Sequence, residues 1–400
     1  MPQLPAKYLF SHILRCPFPS TPDLLLANCH PHARAALERD LNAAGATITD
    51  ATVDTAARAS SWRIWSQYAH DVCNIDPFFR SVPPLIQQQS LLAFAARVRT
   101  GCFGHGRQVG HQTVEKALRH VGQTQVLAGF SDPRRRLGTK ELDLPFQHLL
   151  KSMKDVDPAP KPQLALPVDT IMNAASPGIL PHTSQVAQAT GDLIAIAFYF
   201  LLRVGEYTMP GANRRTRTVQ FRCQDVHFWK NRTLISHDGT LEQLLEADSV
   251  TMYLDNQKNG DRGATIHHTC VPGWFCPVKA LSRRVFSIRS RGMPPATPLS
   301  YVSPGTHVVA NHIVRAVRAA ARQTGLTQHG YDLKRVGAHS LRASGAMALK
   351  LNGYTAEDIM KIGRWTSTTF LTYIHSQIAA LNNGIAANMS RRIAFHNVGG

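Results

Sequence analysis

A run of prolines divides this chain. From Asp155 to Pro167 the sequence reads DVDPAPKPQLALP, with prolines at Pro158, Pro160, Pro162 and Pro167. Proline lacks the amide hydrogen that a helix or a central strand needs, and its ring clashes with the preceding turn. Neither element can run through this stretch, so the chain folds as separate units on an extended, semi-rigid linker. The expected division is an N-terminal arm over residues 1–50, poorly structured, a helical domain over 51–154, the linker over 155–167 and a second domain with a C-terminal tail over 168–400.

Before the linker the pattern is helical. The segment TVDTAARASSWRIWSQYAHDV sets Ala57, Ser61, Ile64, Trp65 and Tyr68 at helical spacing. PPLIQQQSLLAFAARVRTG opens on prolines and stops at Gly101, and HQTVEKALRHVGQTQVLAG and GTKELDLPFQHLLKSMKDV read as two further helices. The arm carries one short helical stretch, HARAALERDLNAAG. After the linker, helices return, among them TGDLIAIAFYFLLRVGEYT taken as one apolar helix. Then β-branched and aromatic residues alternate in RTVQFRCQDVHFWK, RTLISH, SVTMYLDNQ and ATIHHTCV, with turn signals such as HDG and KNGDRG between them. From Pro277 to the end the pattern is helical again. The expected fold class is mostly α with a small antiparallel β-sheet.

Charge narrows the partners. Lys and Arg number 44 and Asp and Glu 26, a formal net of +18. Such a surplus favours polyanions, nucleic acid first; a ribosomal or membrane-surface protein is the plainer alternative. Residues 301–400 hold 11 Lys or Arg against 3 Asp or Glu, so 11 − 3 = +8, and the excess is no detachable tail. The seven cysteines are odd in number and widely spaced, which argues for a reducing, intracellular setting. Cys270 and Cys276, preceded by His267 and His268, allow a zinc site to be considered, but no C-x2-C pair supports it and small apolar packing is the plainer reading. The most apolar run, Leu193 to Leu202, is too short to cross a bilayer, and no secretory signal is visible.

Four segments carry chemistry-bearing residues. FLLRVGEY sets Arg203 and Glu206 three apart. DNQKNGDRG puts Lys258 in a turn between two strands. AHSLRASGAMALKLNG sets His339 and Arg342 three apart, on one face of a helix. TAEDIMKIGRWTSTTFLTYIHSQ carries Trp365 and Tyr373. Asn352-Gly353 reads as a helix stop, Thr355-x-x-Asp358 as a capping box, Gly363 as a helix end, and Thr366 or Ser367 as the cap of the helix holding Tyr373.

In the order Arg203, Lys258, His339, Arg342, Trp365, Tyr373, these segments resemble the catalytic boxes of tyrosine recombinases, the family of phage integrases and chromosome-dimer resolvases. The resemblance spans residues 52–390, with the helical domain similar to the family's core-binding domain. FLLRVGEY and GRWTSTTFLTYI also resemble recombinases of eukaryotic mobile elements of the Crypton and DIRS kinds. It implies a site-specific DNA recombinase or integrase that works on double-stranded DNA through a 3′-phosphotyrosine, as a dimer on each site and a tetramer in the synapse. No cofactor, metal, nucleotide or membrane is implied.

The residue types suit that chemistry. Two arginines can grip the non-bridging oxygens of a phosphodiester and offset charge in the transition state. A tyrosine hydroxyl can then attack and store the bond energy as an ester. By resemblance Lys258 protonates the leaving 5′ oxygen, His339 assists proton movement, Trp365 packs and contacts the phosphate, and Glu206 is a structural neighbour that orients the site. Lys230 and Lys279 compete with Lys258. Tyr373 follows Trp365 one residue sooner than is common in bacterial members, which turns the tyrosine by about 100° on an ideal helix.

Each residue alone has a plainer reading: Arg203 as a helix-end partner of Glu206, His339 and Arg342 as a solvated face, Trp365 and Tyr373 as core residues. The other functions considered are a catalytically silent DNA-binding protein derived from a recombinase, a type IB topoisomerase-like enzyme and a metal-dependent nuclease. The last needs clustered carboxylates, and acids are sparse here. The segment IHSQIAALNNGIAANM is the expected docking helix for a neighbouring subunit.

Overall fold

The computed structural model describes residues 30–40, 55–103, 106–136, 138–159, 163–211, 219–254 and 263–372. The chain divides into two compact units, Met1–Ala159 and Pro160–Gly400.

The first unit is helical: α1 (Thr55–Asp71), α2 (Pro84–Arg99), α3 (His111–Leu127) and α4 (Leu144–Val156). Its core is aromatic. Trp65 is fully buried and meets Phe79 at a tilt and Phe94 edge-on, with ring centroids 5.3 and 5.2 Å away. Its indole N–H donates to the Pro77 carbonyl at 3.0 Å, so the burial leaves no polar group stranded. The last helix starts later than its sequence pattern suggests. Residues 138–143 stay out of the helix, Arg135 bridges Leu142, and Pro145 lies in the first turn of α4, where proline is tolerated. Asp157 ties the unit together: it accepts from the His111 amide at 2.6 Å and pairs with Arg99 at 2.5 Å.

The second unit is mostly α with a small antiparallel sheet. It runs α5 (Val168–Ala175), α6 (Gln185–Tyr199), α7 (Val204–Tyr207), β1 (Val226–Lys230), β2 (Thr233–Ile235), α8 (Leu241–Leu245), β3 (Ser249–Leu254), β4 (Ala264–Thr269), α9 (Pro277–Arg289), β5 (Tyr301–Ser303), β6 (Thr306–His307), α10 (Ala310–Gln323), α11 (Ala338–Leu351) and α12 (Ala356–Gly363), then a 3-10 turn at Thr368–Thr372. The four-stranded sheet has the order β2-β1-β3-β4. Val226 and Phe228 on β1 and Val250, Met252 and Leu254 on β3 are buried, so alternate residues face the core while their neighbours face out. β3 and β4 both pack on α9. β3 pairs β4 with Leu254 opposite Ala264, so residues 255–263 join the two strands. α6 is the central helix, buried from Ala189 to Phe198, and α5, α9 and α11 pack around it.

Several expectations are corrected here. The apolar stretch 190–208 is two helices, broken at Phe200–Leu202. Residues 219–225 form no long strand; a 3-10 turn occupies Cys223–Asp225. The part after Pro277 is not purely helical, because β5 and β6 form a two-stranded hairpin around Gly305, whose φ is +72°. Residues 163–167 of the proline stretch pack into the second unit: Leu164, Ala165 and Leu166 are buried, and the Leu166 amide donates to Ser344 Oγ at 2.8 Å.

Two helix signals near the chain's end are present as read, while Thr366 and Ser367 precede a 3-10 turn and the expected helix with Tyr373 lies outside the described residues. Gly353 takes φ +86° after the C-cap Asn352. Thr355 Oγ1 accepts from the Asp358 amide at 3.1 Å, and Asp358 Oδ2 accepts from the Thr355 amide at 3.2 Å. Among the described residues no helix is long and apolar enough to cross a membrane.

Candidate active site

Two helices end on residues whose backbone is left-handed though neither is glycine. α6 closes with the Leu202 amide donating to Ala197 O at 3.0 Å and Leu201 at φ +48°. α12 closes with the Trp365 amide donating to Met360 O at 2.9 Å and Arg364 at φ +57°. Both are Schellman-type ends, which ordinarily put glycine at this position. A side chain there costs about 1–2 kcal/mol, so something must hold it.

Long-range hydrogen bonds hold it. The Leu201 carbonyl, turned out of the helix direction, accepts from Arg364 at 3.2 Å and from Arg342. Arg342 also donates to the Gly363 carbonyl, the last residue of α12. The carboxylate of Glu206 accepts from both terminal nitrogens of Arg364, at 3.4 and 3.1 Å, and from Arg203 Nη1 at 3.2 Å. Arg203 is the N-cap of α7, and its amide donates to Glu206 Oε2 at 2.8 Å. Arg203 Nη2 meets the Arg364 carbonyl at 3.5 Å. The break after α6 therefore sets Arg203 at the start of a new helix rather than at the end of an old one.

Two glycines make the close approaches possible. A Cβ on Gly345 of α11 would lie 2.3 Å from Leu201 Cδ2 and 2.5 Å from the Phe198 carbonyl, so α11 and α6 cross in contact three residues beyond Arg342. A Cβ on Gly363 would lie 1.7 Å from Trp365 Cζ3. Gly363 ends its helix in sequence, but what it supplies is room for the indole. That indole lies under the Arg342 guanidinium, 4.1 Å from ring centroid to carbon. The Phe370 ring is 5.5 Å from Trp365, and Phe370 is buried with Ile359 and Ala346, which anchors the 3-10 turn beside the indole.

The electrostatics follow from this packing. Arg203, Arg342 and Arg364 carry three positive charges against one negative on Glu206, 3 − 1 = +2. Burial pulls the Arg364 guanidinium below its usual value, and Glu206 pulls it back up; an arginine remains charged regardless. Burial, then the charge of Glu206, pushes the Tyr207 phenol well above its ordinary value, and its hydroxyl has no hydrogen-bond partner among the described residues. Tyr207 is thus a neutral core residue, unsuited to attack.

The structure brings together Arg203, Arg342 and Trp365. His339 stands three residues before Arg342 on α11, exposed while Arg342 is buried. Lys258 and Tyr373 lie outside the described residues, as does the IHSQIAALNNGIAANM segment. Of the competing lysines, Lys230 pairs with Glu246 at 2.5 Å and Lys279 donates to the Gly273 carbonyl at 2.7 Å. Sequence reasoning missed Arg364. Its one local signal is a basic residue directly after a helix end, where cations meet free carbonyls. No group of three or more metal-ligating side chains forms among the described residues; His268 faces the Tyr199 carbonyl at 3.0 Å and His267 the Thr251 hydroxyl at 3.1 Å.

No family model matches the sequence, and no curated protein matches it. Among solved structures, the chain is similar to the Tn1549 transposon integrase in complex with transposon right end DNA, at 14% identity over 84% of this chain and 99% of that one, with a TM-score of 0.43. It is similar to the XerH site-specific recombinase in its post-cleavage complex with palindromic difH substrate, at 14% identity over 76% of this chain and 78% of that one, TM-score 0.46. It is also similar to the XerA recombinase, at 14% identity over 84% of this chain and 93% of that one, TM-score 0.34.

Proposed function

We propose that this protein is a tyrosine recombinase, a site-specific DNA strand transferase that cleaves and rejoins double-stranded DNA through a 3′-phosphotyrosine. The observation that supports it best is the convergence of Arg203 and Arg342, from motifs far apart in sequence, on one carbonyl-and-carboxylate centre beside Trp365. A centre with a surplus of two positive charges suits a phosphodiester, whose non-bridging oxygens gain charge during transfer.

In this reading the scissile phosphate sits against Arg203 and Arg342. The Tyr373 oxygen attacks phosphorus, a Tyr–O–P bond forms, and the P–O5′ bond breaks. Lys258 gives its proton to the departing 5′ oxygen. His339 assists proton movement at the phosphate or at Tyr373. Trp365 packs under Arg342 and contacts the phosphate; Glu206 and Arg364 hold the arginines in place. Rejoining reverses the step with a new 5′ hydroxyl as nucleophile. The ester conserves the bond energy, so no nucleotide is required, and charge stabilisation comes from the guanidiniums. The helical unit acts as a core-binding domain on DNA, and the chain works inside the cell as a dimer on each site and a tetramer in the synapse.

Nicked duplex DNA from the gene's own flanks, incubated with the protein in EDTA and then denatured, tests the chemistry. A covalent adduct is expected with wild type and none with Tyr373→Phe. An adduct that persists in the variant would assign the nucleophile elsewhere. Tight binding with no adduct from wild type would make the protein a silent DNA binder.

A further inference from the structure

A pair of thiols lies in the second unit, outside the arginine centre. Cys270 follows β4 directly, and Cys276 is the N-cap of α9. Their sulfurs are 3.6 Å apart, which is van der Waals contact. The backbone holds both ends. The Cys270 amide donates to the Asp248 carbonyl at 2.7 Å, continuing the β3–β4 ladder, and the Cys276 amide donates to Trp274 O at 3.0 Å. Between them the chain turns through Pro272 and Gly273, with Gly273 at φ +82°, and the Val271 amide donates to Cys276 Sγ at 3.4 Å. Both cysteines are free thiols, Cys270 partly exposed and Cys276 buried.

We propose that Cys270 and Cys276 form a modification site, a dithiol that closes to an intramolecular disulfide when it meets hydrogen peroxide. A disulfide bond is about 2.05 Å long, so the sulfurs must approach by about 1.5 Å, within reach of side-chain rotation. The exposure difference sets the order. Cys270 meets the peroxide, takes one oxygen as sulfenic acid and releases water. Cys276 sulfur then attacks the Cys270 sulfur, the S–S bond forms, and the hydroxyl leaves with a proton as a second water. Two thiols and one peroxide become one disulfide and two waters. A partner thiol already in contact intercepts the sulfenic acid before further oxidation. Burial and the neighbouring Cys276 push the Cys270 thiol above its ordinary range, with Lys279 pulling the other way. The proposal does not depend on the DNA reading.

The wild-type chain tests it, with no variant that might fail to fold. Cleavage after Arg262 and Lys279 releases both cysteines on one peptide, residues 263–279. The reduced protein is freed of reductant, treated with hydrogen peroxide, unfolded in N-ethylmaleimide and digested with trypsin. Expected is a 263–279 peptide about 2 Da lighter than its reduced form, blocked to the reagent until reduced, then taking up two equivalents. Exposed Cys102, alkylated in the same digest of an untreated sample, shows that the reagent works. A peptide that stays alkylatable after peroxide overturns the proposal. So does one that carries sulfinic acid, or one cross-linked to another cysteine.

Discussion

The two units are stabilised in different ways. The first closes around rings: Trp62, Trp65, Tyr68, Phe78, Phe79, Phe94 and Phe146 are all buried, and most touch one another. The second has a large aliphatic core and buries more charge, Asp192, Glu206, Asp225, Arg284, Arg342 and Arg364, against Arg58 and Arg134 in the first. Apolar burial stabilises wherever it occurs, whereas a buried charge costs several kcal/mol unless its partners are in place. The second unit thus carries an arrangement that stability alone does not call for, and the surplus of positive charge at Arg203, Arg342 and Arg364 points to an anion as the reason.

The largest effect is expected at the aromatic core. Trp65→Ala should lower stability by about 3–5 kcal/mol, and Trp65→Phe by far less, because volume is what matters there. Calorimetric melts of the full chain check this. Equal losses from both variants would mean that the indole N–H bond to Pro77, not packing, carries the site.

Next comes Glu206→Gln. It keeps the shape and removes the one negative charge among three guanidiniums, and should cost about 3 kcal/mol. Unlike the loss at Trp65, it should be partly restored by inorganic phosphate, which binds only the folded centre. Melting curves with and without phosphate compare the two variants. A phosphate response no larger than that of Trp65→Ala would remove the distinction between the units.

The smallest effect concerns charge in the first unit. The His111 amide, then its ring, then Arg99 hold the Asp157 carboxyl down at about 2, against the ordinary 3.8. A depressed carboxyl contributes stability that is present above its unfolded value and lost as pH falls through its folded one. Asp157→Asn should therefore melt earlier than wild type at pH 7, and the gap should close between about pH 4 and pH 2. A gap that is unchanged at pH 2 would show that the carboxyl acts by shape alone.

Much of this was legible locally. The capping box at Thr355 and Asp358, the stop at Asn352-Gly353 and the alternation in β1 and β3 depend on residues a few positions apart. The misreadings fall where distant groups intervene. The stretch from Thr190 to Thr208 looks like one apolar helix because nothing in LLRV marks a break. The β5–β6 hairpin was missed because its strands are too short for periodicity to register. Arg364 went unnoticed because its partners, Glu206 and Leu201, lie 158 and 163 residues away.

The sequence by itself determined the stop at Asn352-Gly353, the capping box at Thr355, the strand faces, the basic balance and the ordered set of motifs, since each rests on local sterics or on composition. Only the tertiary structure decided that Leu201 and Arg364 adopt a left-handed backbone and that Gly363 serves the Trp365 ring. It also decided that Arg364 shares the Glu206 carboxylate with Arg203 and the Leu201 carbonyl with Arg342. The reason is energetic: a strained residue costs about 1–2 kcal/mol locally, and the hydrogen bonds that offset it come from chain segments that meet only when the core has formed.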